Sequence, residues 1–384
     1  MSLADDLAAQ YSTPEADQPR ARIEFDGGTG VFDTGVIKGN IPEDFTPLFR
    51  QCLEAAGHNP DQVQLGRPLK ESHWQQKSRD NDEPIWLHAY KFEASRAGTS
   101  TVIDLEEIVK KSKKKEPAKG TAGHWFVFQG GDQQIGKRSR DGSTQEIVER
   151  YCASVESAKN SFKNLKWAGI EGIQISFPGD CIEGAVSQGG KNLWLTQESI
   201  TEQTRILRRL MMYAMESFAP LIDRVFLDVV GGNHDEANRQ QNYYPGDNWA
   251  TESAIAVGDA MKMNPTAYGH VQVRIPEKWS GMMTVPVGDS IVTIAHGHQW
   301  RKNGAMQWWA EQAVNNQPAG ASQILQHGHW HQFQLGSNKH RTVIGSPTFD
   351  MGSDWLRNKN GATAKQGALV YLLSGGEISH LSLV

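Results

Sequence analysis

The sequence predicts an α/β fold, on three observations. From residue 121 onward, short apolar runs alternate with long segments of helical period. Those runs end in glycines and polar residues, as strands do when they turn over a sheet edge. A β-rich tail closes the chain, and strands separated by helices make a layered α/β domain. The 384 residues are 38% hydrophobic and 22% charged, which supplies a core and excludes wholesale disorder.

Residues 1–20 are polar and Ala-rich with no apolar period, and read as a disordered tail. A small α+β N-terminal domain is expected over residues 21–109. There Phe45, Leu48, Phe49 and Leu53 fall at helical spacing between Pro42 and Gly57, with Gly57 as the stop. Residues 84–95 alternate enough to read as a strand, and 105–115 as a second helix. Six lysines from Lys110 to Lys119 mark 110–120 as a linker, either a solvated tether or a phosphate-contacting strip.

The second domain, residues 121–384, opens with a strand at 124–128. A helix is expected over 144–168, a strand over 172–177 and a helix over 197–218. The last of these carries Ile206, Leu207, Leu210, Met211 and Ala214 on one face. Strands follow at 224–230, 290–295 and 322–326, with a helix around 305–314. Short strands at 332–335, 342–345, 368–373 and 378–384 finish the chain.

Composition excludes several classes. No apolar run approaches the ~18–20 residues of a membrane span. The acidic N-terminus lacks the apolar stretch of a signal peptide. Cys52, Cys152 and Cys181 are scattered and odd in number, which excludes a disulfide scaffold and points to a cytoplasmic setting. A net charge of −5 excludes a uniformly basic nucleic-acid coat, but a metal site with a local basic patch can still hold phosphate.

Chemistry gathers at five strand ends. HWFVF runs into Asp132 and Gln134, GIQISF into Asp180, and RVFLDVV into Asn233, His234 and Asp235. SIVTIA runs into His296 and His298, and SQILQ into His327, His329 and His331. Sites in open α/β sheets gather beyond the C-terminal strand edges. A set of carboxylates and imidazoles suits Mn²⁺, Zn²⁺, Fe²⁺ or Co²⁺, and two such ions are suited to phosphoester cleavage.

These ordered pieces, D-x-[HQ], G-D, G-N-H-[DE], H and G-H-x-H, resemble the calcineurin-like metallophosphoesterases over about residues 121–384. The D-x-x-x-G-K opening is most similar to SbcD-type DNA repair exonucleases of phages and bacteria. The resemblance implies a β-sandwich core flanked by helices, in four αββα layers. It also implies two divalent ions, Mn²⁺ foremost. Asp132, Gln134, Asp180 and His331 would hold the first, and Asp180, Asn233, His296 and His329 the second, with Asp180 bridging. A hydroxide between the ions would attack phosphorus in line. His234 would protonate the leaving oxygen, and Asp235 would orient His234. Gln134 stands where the family usually has histidine. An amide oxygen is a weaker and harder donor, so a looser first site that prefers Mn²⁺ is expected. The same D-x-Q form occurs in the Mn²⁺-dependent ADP-ribose and CDP-alcohol diphosphatase branch.

Lys137, His298, Tyr243, Tyr244 and Arg301 are candidate substrate contacts, because loops at strand ends usually set specificity. Trp300, Trp308, Trp309 and Trp330 are either core or a surface for stacking bases. The expected activity is metal-dependent phosphodiester hydrolysis, first as a DNA exonuclease or endonuclease. A nucleotide diphosphatase and a metal-degenerate binding module are the alternatives. DNA is the expected partner, and the nuclease resemblance implies a homodimer. Only 53 residues follow His331, which argues against an SbcC-like ATPase partner.

Overall fold

The computed structural model describes residues 21–25, 29–42, 44–77, 84–96, 105–112, 117–121, 123–185, 196, 198–237, 244–354, 357–358, 361 and 363–384. The chain divides into two compact units between Ile103 and Asp104.

In the first unit, strands β1 (Arg22–Phe25), β2 (Thr29–Asp33), β3 (Ile37–Lys38), β4 (Val63–Lys77) and β5 (Pro84–Arg96) form one antiparallel sheet. Its axis is β5, which pairs with β2, β3 and β4. Helix α1 (Thr46–Ala55) packs Phe49 and Leu53 with Phe32, Tyr90, Phe92 and Ala94. It starts at Thr46, later than Pro42, with Phe45 at the N-cap and the Asp44 carboxylate just before it accepting the Thr46 N–H at 2.8 Å. Gly57, at φ 82°, follows its end. The long strand β4 was not legible: Gly66, Pro68 and scattered charges break its alternation, and its register slips on both sides of Pro68.

Helix α2 (Leu105–Lys111) belongs to the second unit, which corrects the boundary drawn at residue 109. Val109 is fully buried, and the Asn264 amide donates to the carbonyls of Val109 and Ser112 at 3.1 and 3.3 Å. Residues 113–116, the centre of the expected linker, lie outside the described residues.

The second unit continues through β6 (His124–Gln129), α3 (Thr144–Leu165), β7 (Ile170–Pro178), α4 (Ile200–Phe218) and β8 (Val225–Val230). Then come α5 (Trp249–Lys262), the short α6 (Pro265–Tyr268), β9 (Val271–Arg274), β10 (Met282–Val287), β11 (Ser290–Ala295) and α7 (Ala305–Val314). The last strands are β12 (Ile324–His327), β13 (Gln334–Asn338), β14 (Arg341–Gly345), β15 (Leu369–Ser374) and β16 (Glu377–Leu383). One six-stranded sheet has the order β16-β15-β6-β7-β8-β9, with β6 to β9 parallel. A five-stranded sheet has the order β10-β11-β12-β14-β13, with β11, β12 and β14 parallel.

Side-chain burial shows how the sheets are covered. Tyr151, Phe162, Met211, Phe218 and Val257 from helices α3 to α5 share a core with Phe126, Phe128, Ile173 and Leu227. The alternate residues Trp125 and Val127 of β6 meet Val292, Ile294, Ile324 and Ile344 of the other sheet. On that sheet's opposite face lies Trp309 of α7, with Trp300, against Ala295, Leu325 and Val343. Trp300 and Trp309 are therefore core and offer no stacking surface. A buried polar chain also joins the two sheets. Gln326 donates to Gln174 at 3.0 Å and to the Tyr371 hydroxyl at 2.7 Å, and that hydroxyl donates to Gln129 at 3.0 Å. A fully matched buried network fixes how facing strands align, and here it aligns their C-terminal ends. Among the described residues no helix is long and apolar enough to cross a membrane.

Candidate metal centre

The C-terminal ends of β6, β7, β8, β11 and β12 carry the residues singled out in the sequence. Their turns are unusual. Asp132, Gln134, Asp180, His329 and His331 all adopt left-handed backbone, with φ between 45° and 70°. Such conformations are costly for residues with a Cβ and cluster where function demands them. Glycines make the close approaches possible. A Cβ on Gly232 would come within 2.1 Å of an Asp180 carboxylate oxygen, and one on Gly328 within 2.5 Å of Asp132.

One set of side chains converges on His296. Its Nδ1 lies 2.9 Å from the Pro178 carbonyl, which can only accept, so Nδ1 carries the hydrogen. In the neutral ring Nε2 is then a lone pair. Around it stand Asp180 Oδ2 at 3.0 Å, Asn233 Oδ1 at 3.2 Å and His329 Nδ1 at 3.2 Å. Ligand atoms of Asp180, His296 and His329 all lie within 4.8 Å of one another. With the ring neutral, acceptors face acceptors here; a proton on Nε2 shared with Asp180, or a cation in its place, resolves the conflict. Burial alone would lower the pKa of His296, but the Asp180 carboxylate outweighs it and raises the pKa to about 9. Burial also tends to raise Asp180, yet His296 and His234 hold its pKa well below the usual range. The donor set fits a divalent ion.

A pH dependence follows. Below a pKa of about 9, His296 carries a proton that an incoming cation must expel. Near neutral pH, metal binding is expected to release about one proton, with affinity falling about tenfold per pH unit on acidification. Calorimetric titration in two buffers of different ionisation heat measures this, and no proton release would mean that His296 is already neutral.

The other set, around His331, behaves differently. His331 Nδ1 lies 3.0 Å from Asp350 Oδ2, and Lys137 donates to the same oxygen at 2.5 Å. Lys137 also donates to Gln134 Oε1 at 2.5 Å. The Gln134 amide nitrogen lies 3.1 Å from His331 Nε2. Asp132 Oδ1 is 3.5 Å from that nitrogen, and the Asp132 carboxylate accepts the His329 N–H at 3.0 and 2.9 Å. Lys137, Asp350, His331 and Gln134 thus close a ring of matched donors and acceptors. Burial works against the Lys137 ammonium, but Asp350 and Glu183 raise its pKa. Lys137 is therefore held within this ring and not open as a contact for substrate.

Asp350 was missed in the sequence. It follows β14, a sixth strand end of the same kind as the five recognised, and is buried. Glu183 was missed as well. His234 Nδ1 faces the Glu183 carbonyl at 3.0 Å and its carboxylate at 3.3 Å. Asp235 does not hold His234, contrary to the expected role. Its carboxylate accepts the backbone N–H groups of Gly232, Ile182 and Cys181 at 2.8, 3.0 and 3.2 Å. Adjacent residues in a tight turn point apart, and Asp235 instead ties the Asp180 turn to the Asn233 turn. Burial, the largest influence, and Asp180 raise its pKa to about 7.

Among the substrate candidates, His298 is exposed, with its ring 5.5 Å from His296 and 6.2 Å from His329. Tyr243 lies outside the described residues. Arg301 is exposed in the turn that leads into α7, where its carbonyl accepts the Gly304 N–H. Tyr244 packs edge-to-face on Trp279, 4.7 Å between centroids, and the Lys278 ammonium lies 5.1 and 4.8 Å from the two rings. The loop is tied to the third strand end. Gly246 donates to the Lys278 carbonyl, Asn248 to the Pro245 carbonyl, and Trp249 to the Asp235 carbonyl.

No protein-family model matches the chain, and no curated protein matches it. Solved structures do align. An archaeal phosphodiesterase is 11% identical, over 67% of this chain and 99% of that one, with a TM-score of 0.32. A predicted phosphoesterase from Streptococcus pneumoniae is 11% identical, over 66% and 84%, with a TM-score of 0.28. Vps29 of Entamoeba histolytica, in complex with Zn²⁺, is 13% identical, over 67% and 98%, with a TM-score of 0.29.

Proposed function

We propose that the chain is a metal-dependent phosphodiesterase acting on nucleic acid, most of all a DNA exonuclease or endonuclease. The observation that carries this reading is the convergence of Asp180, Asn233 and His329 on His296 Nε2. Asp180, Asn233, His296 and His329 would hold a divalent ion, with Mn²⁺ suited to their mixed oxygen and nitrogen donors. Such an ion supplies two things, a lower pKa for water and neutralisation of charge developing on a phosphoryl oxygen. His234 serves as the proton donor to the leaving oxygen. Burial opposes its charge, but Asp180 and Glu183 raise its pKa to about 9, so it is protonated near neutral pH.

Nucleic acid is favoured by the aromatic pair beside the third strand end. Tyr244 is 42% and Trp279 66% exposed, and Lys278 stands over both rings. Aromatic faces stack unpaired bases, and an ammonium beside them suits the neighbouring phosphate. Trp279→Ala is expected to weaken single-stranded DNA binding by ~1–3 kcal/mol. Fluorescence anisotropy of a labelled oligonucleotide measures it, and unchanged affinity would remove the ring from the substrate path.

The activity itself is tested with end-labelled linear DNA beside ADP-ribose, in Mn²⁺ and in EDTA. Metal-dependent shortening of DNA that weakens steeply as salt rises is the expected result. Hydrolysis of ADP-ribose alone would make the protein a nucleotide hydrolase instead.

A further inference from the structure

Lys137 stands among the residues that the family resemblance assigns to a first metal ion. We propose that its ammonium takes the place of that ion, so that the chain holds one divalent cation, at Asp180, His296 and His329, and not two. The inference rests on the metal centre proposed above and narrows it.

The two sets of side chains differ in what they lack. At His296, one ring nitrogen faces a carboxylate oxygen and an amide oxygen, and these contacts are matched only by a proton on that nitrogen or by a cation in its place. At His331 the contacts within hydrogen-bond distance are matched, although Asp132 Oδ1 also stands 3.5 Å from Nε2. Asp350 accepts from Lys137 and from His331 Nδ1, His331 Nε2 accepts from the Gln134 amide, and Gln134 Oε1 accepts from Lys137. Each of these four contacts pairs a donor with an acceptor, and the ring already contains a positive charge.

Gln134 is the residue that makes this possible. Its amide presents an acceptor and a donor on one carbon, so it meets the ammonium with oxygen and His331 with nitrogen. The backbone supports the same approach: the Lys137 N–H donates to the Gln134 carbonyl at 3.0 Å, and Gly136 between them sits at φ 100°. A Cβ on Gly136 would meet Gln203 at 2.6 Å, so the turn is held closely. The Lys137 side chain is 15% exposed and that of Asp350 1%. Displacing the ammonium would leave a buried charge without its partner, which is strongly unfavourable. An entering dication would have to do this to reach Gln134 Oε1.

The test is a metal count on the full chain. Protein loaded with excess Mn²⁺ and desalted is analysed by mass spectrometry for Mn²⁺ per chain and by electron paramagnetic resonance. The expected result is about one ion per chain, with the resolved hyperfine lines of an isolated Mn²⁺. The double variant Gln134→His with Lys137→Met removes the ammonium and restores an imidazole. It is expected to bind about two ions and to give the broad signal of an exchange-coupled pair. Two ions or a coupled signal in the unaltered protein would overturn the proposal and leave the metal centre standing. A double variant that folds and still holds one ion would also overturn it, because Lys137 would then not be what excludes the second. No bound metal at all would overturn the metal centre itself.

Discussion

Asp180→Asn is expected to abolish metal binding and, with it, the proposed phosphodiesterase activity. Asp180 Oδ2 stands 3.0 Å from His296 Nε2, and Oδ1 accepts the His234 N–H at 2.8 Å. Asparagine keeps the shape and can keep the second contact. It cannot keep the charge. Turned toward His296, its NH₂ would donate to the Nε2 lone pair, and the set would no longer require a cation. Loss of a partner that only supports a ligand weakens metal affinity by about 10–100-fold. Loss of a charged ligand should exceed that range. Calorimetric titration with Mn²⁺ measures the change, and affinity within about tenfold of the original would remove Asp180 from the ligands.

His234→Ala is expected to keep the metal and lose the chemistry. His234 Nε2 is 3.9 Å from Asp180 Oδ2, outside the group of ligand atoms around His296, and its Nδ1 is committed to Glu183. Facing Asp180 and Glu183, the ring carries a proton below a pKa of about 9 and loses it above; a cation held by Asp180 would lower that value, so the acid contribution is expected to fade at or below pH 9. Turnover of DNA should fall by ~10²–10⁴-fold, the scale of a lost general acid. Bis-p-nitrophenyl phosphate should suffer much less, because its leaving group departs without a proton. An equal loss on both substrates would argue against proton donation, and a loss of metal would make His234 a ligand.

Much of this site was legible because its chemistry lies at strand ends. Asp132, Asp180, His296, His329 and His331 each follow an apolar run by a few residues, and periodicity locates such runs well. What failed was orientation. Asp235 follows His234 in sequence, yet its carboxylate turns to three backbone amides while Glu183, on another turn, faces the imidazole. Sequence adjacency says nothing about side-chain direction in a turn. Asp350 was passed over because the segment around it read as the closing strands, although TVIG runs into polar residues as the other strand ends do.

The fold was legible wherever apolar runs were clean. The missed elements have mixed composition. Strand β4 carries Pro68 and several charges, and helix α5, which begins after its Asn248 cap, follows a polar loop that hides its start. The lysines after residue 109 read as a linker, while Val109 just before them is buried in the second unit's core.

The most direct measurement is anomalous X-ray scattering from crystals of the full chain saturated with Mn²⁺. An anomalous peak is expected within bonding distance of Asp180 Oδ2, His296 Nε2 and His329 Nδ1, and it should vanish in Asp180→Asn. Crystals that hold Mn²⁺ elsewhere, or none, with no peak among these three side chains would contradict the assignment of this site as a metal centre.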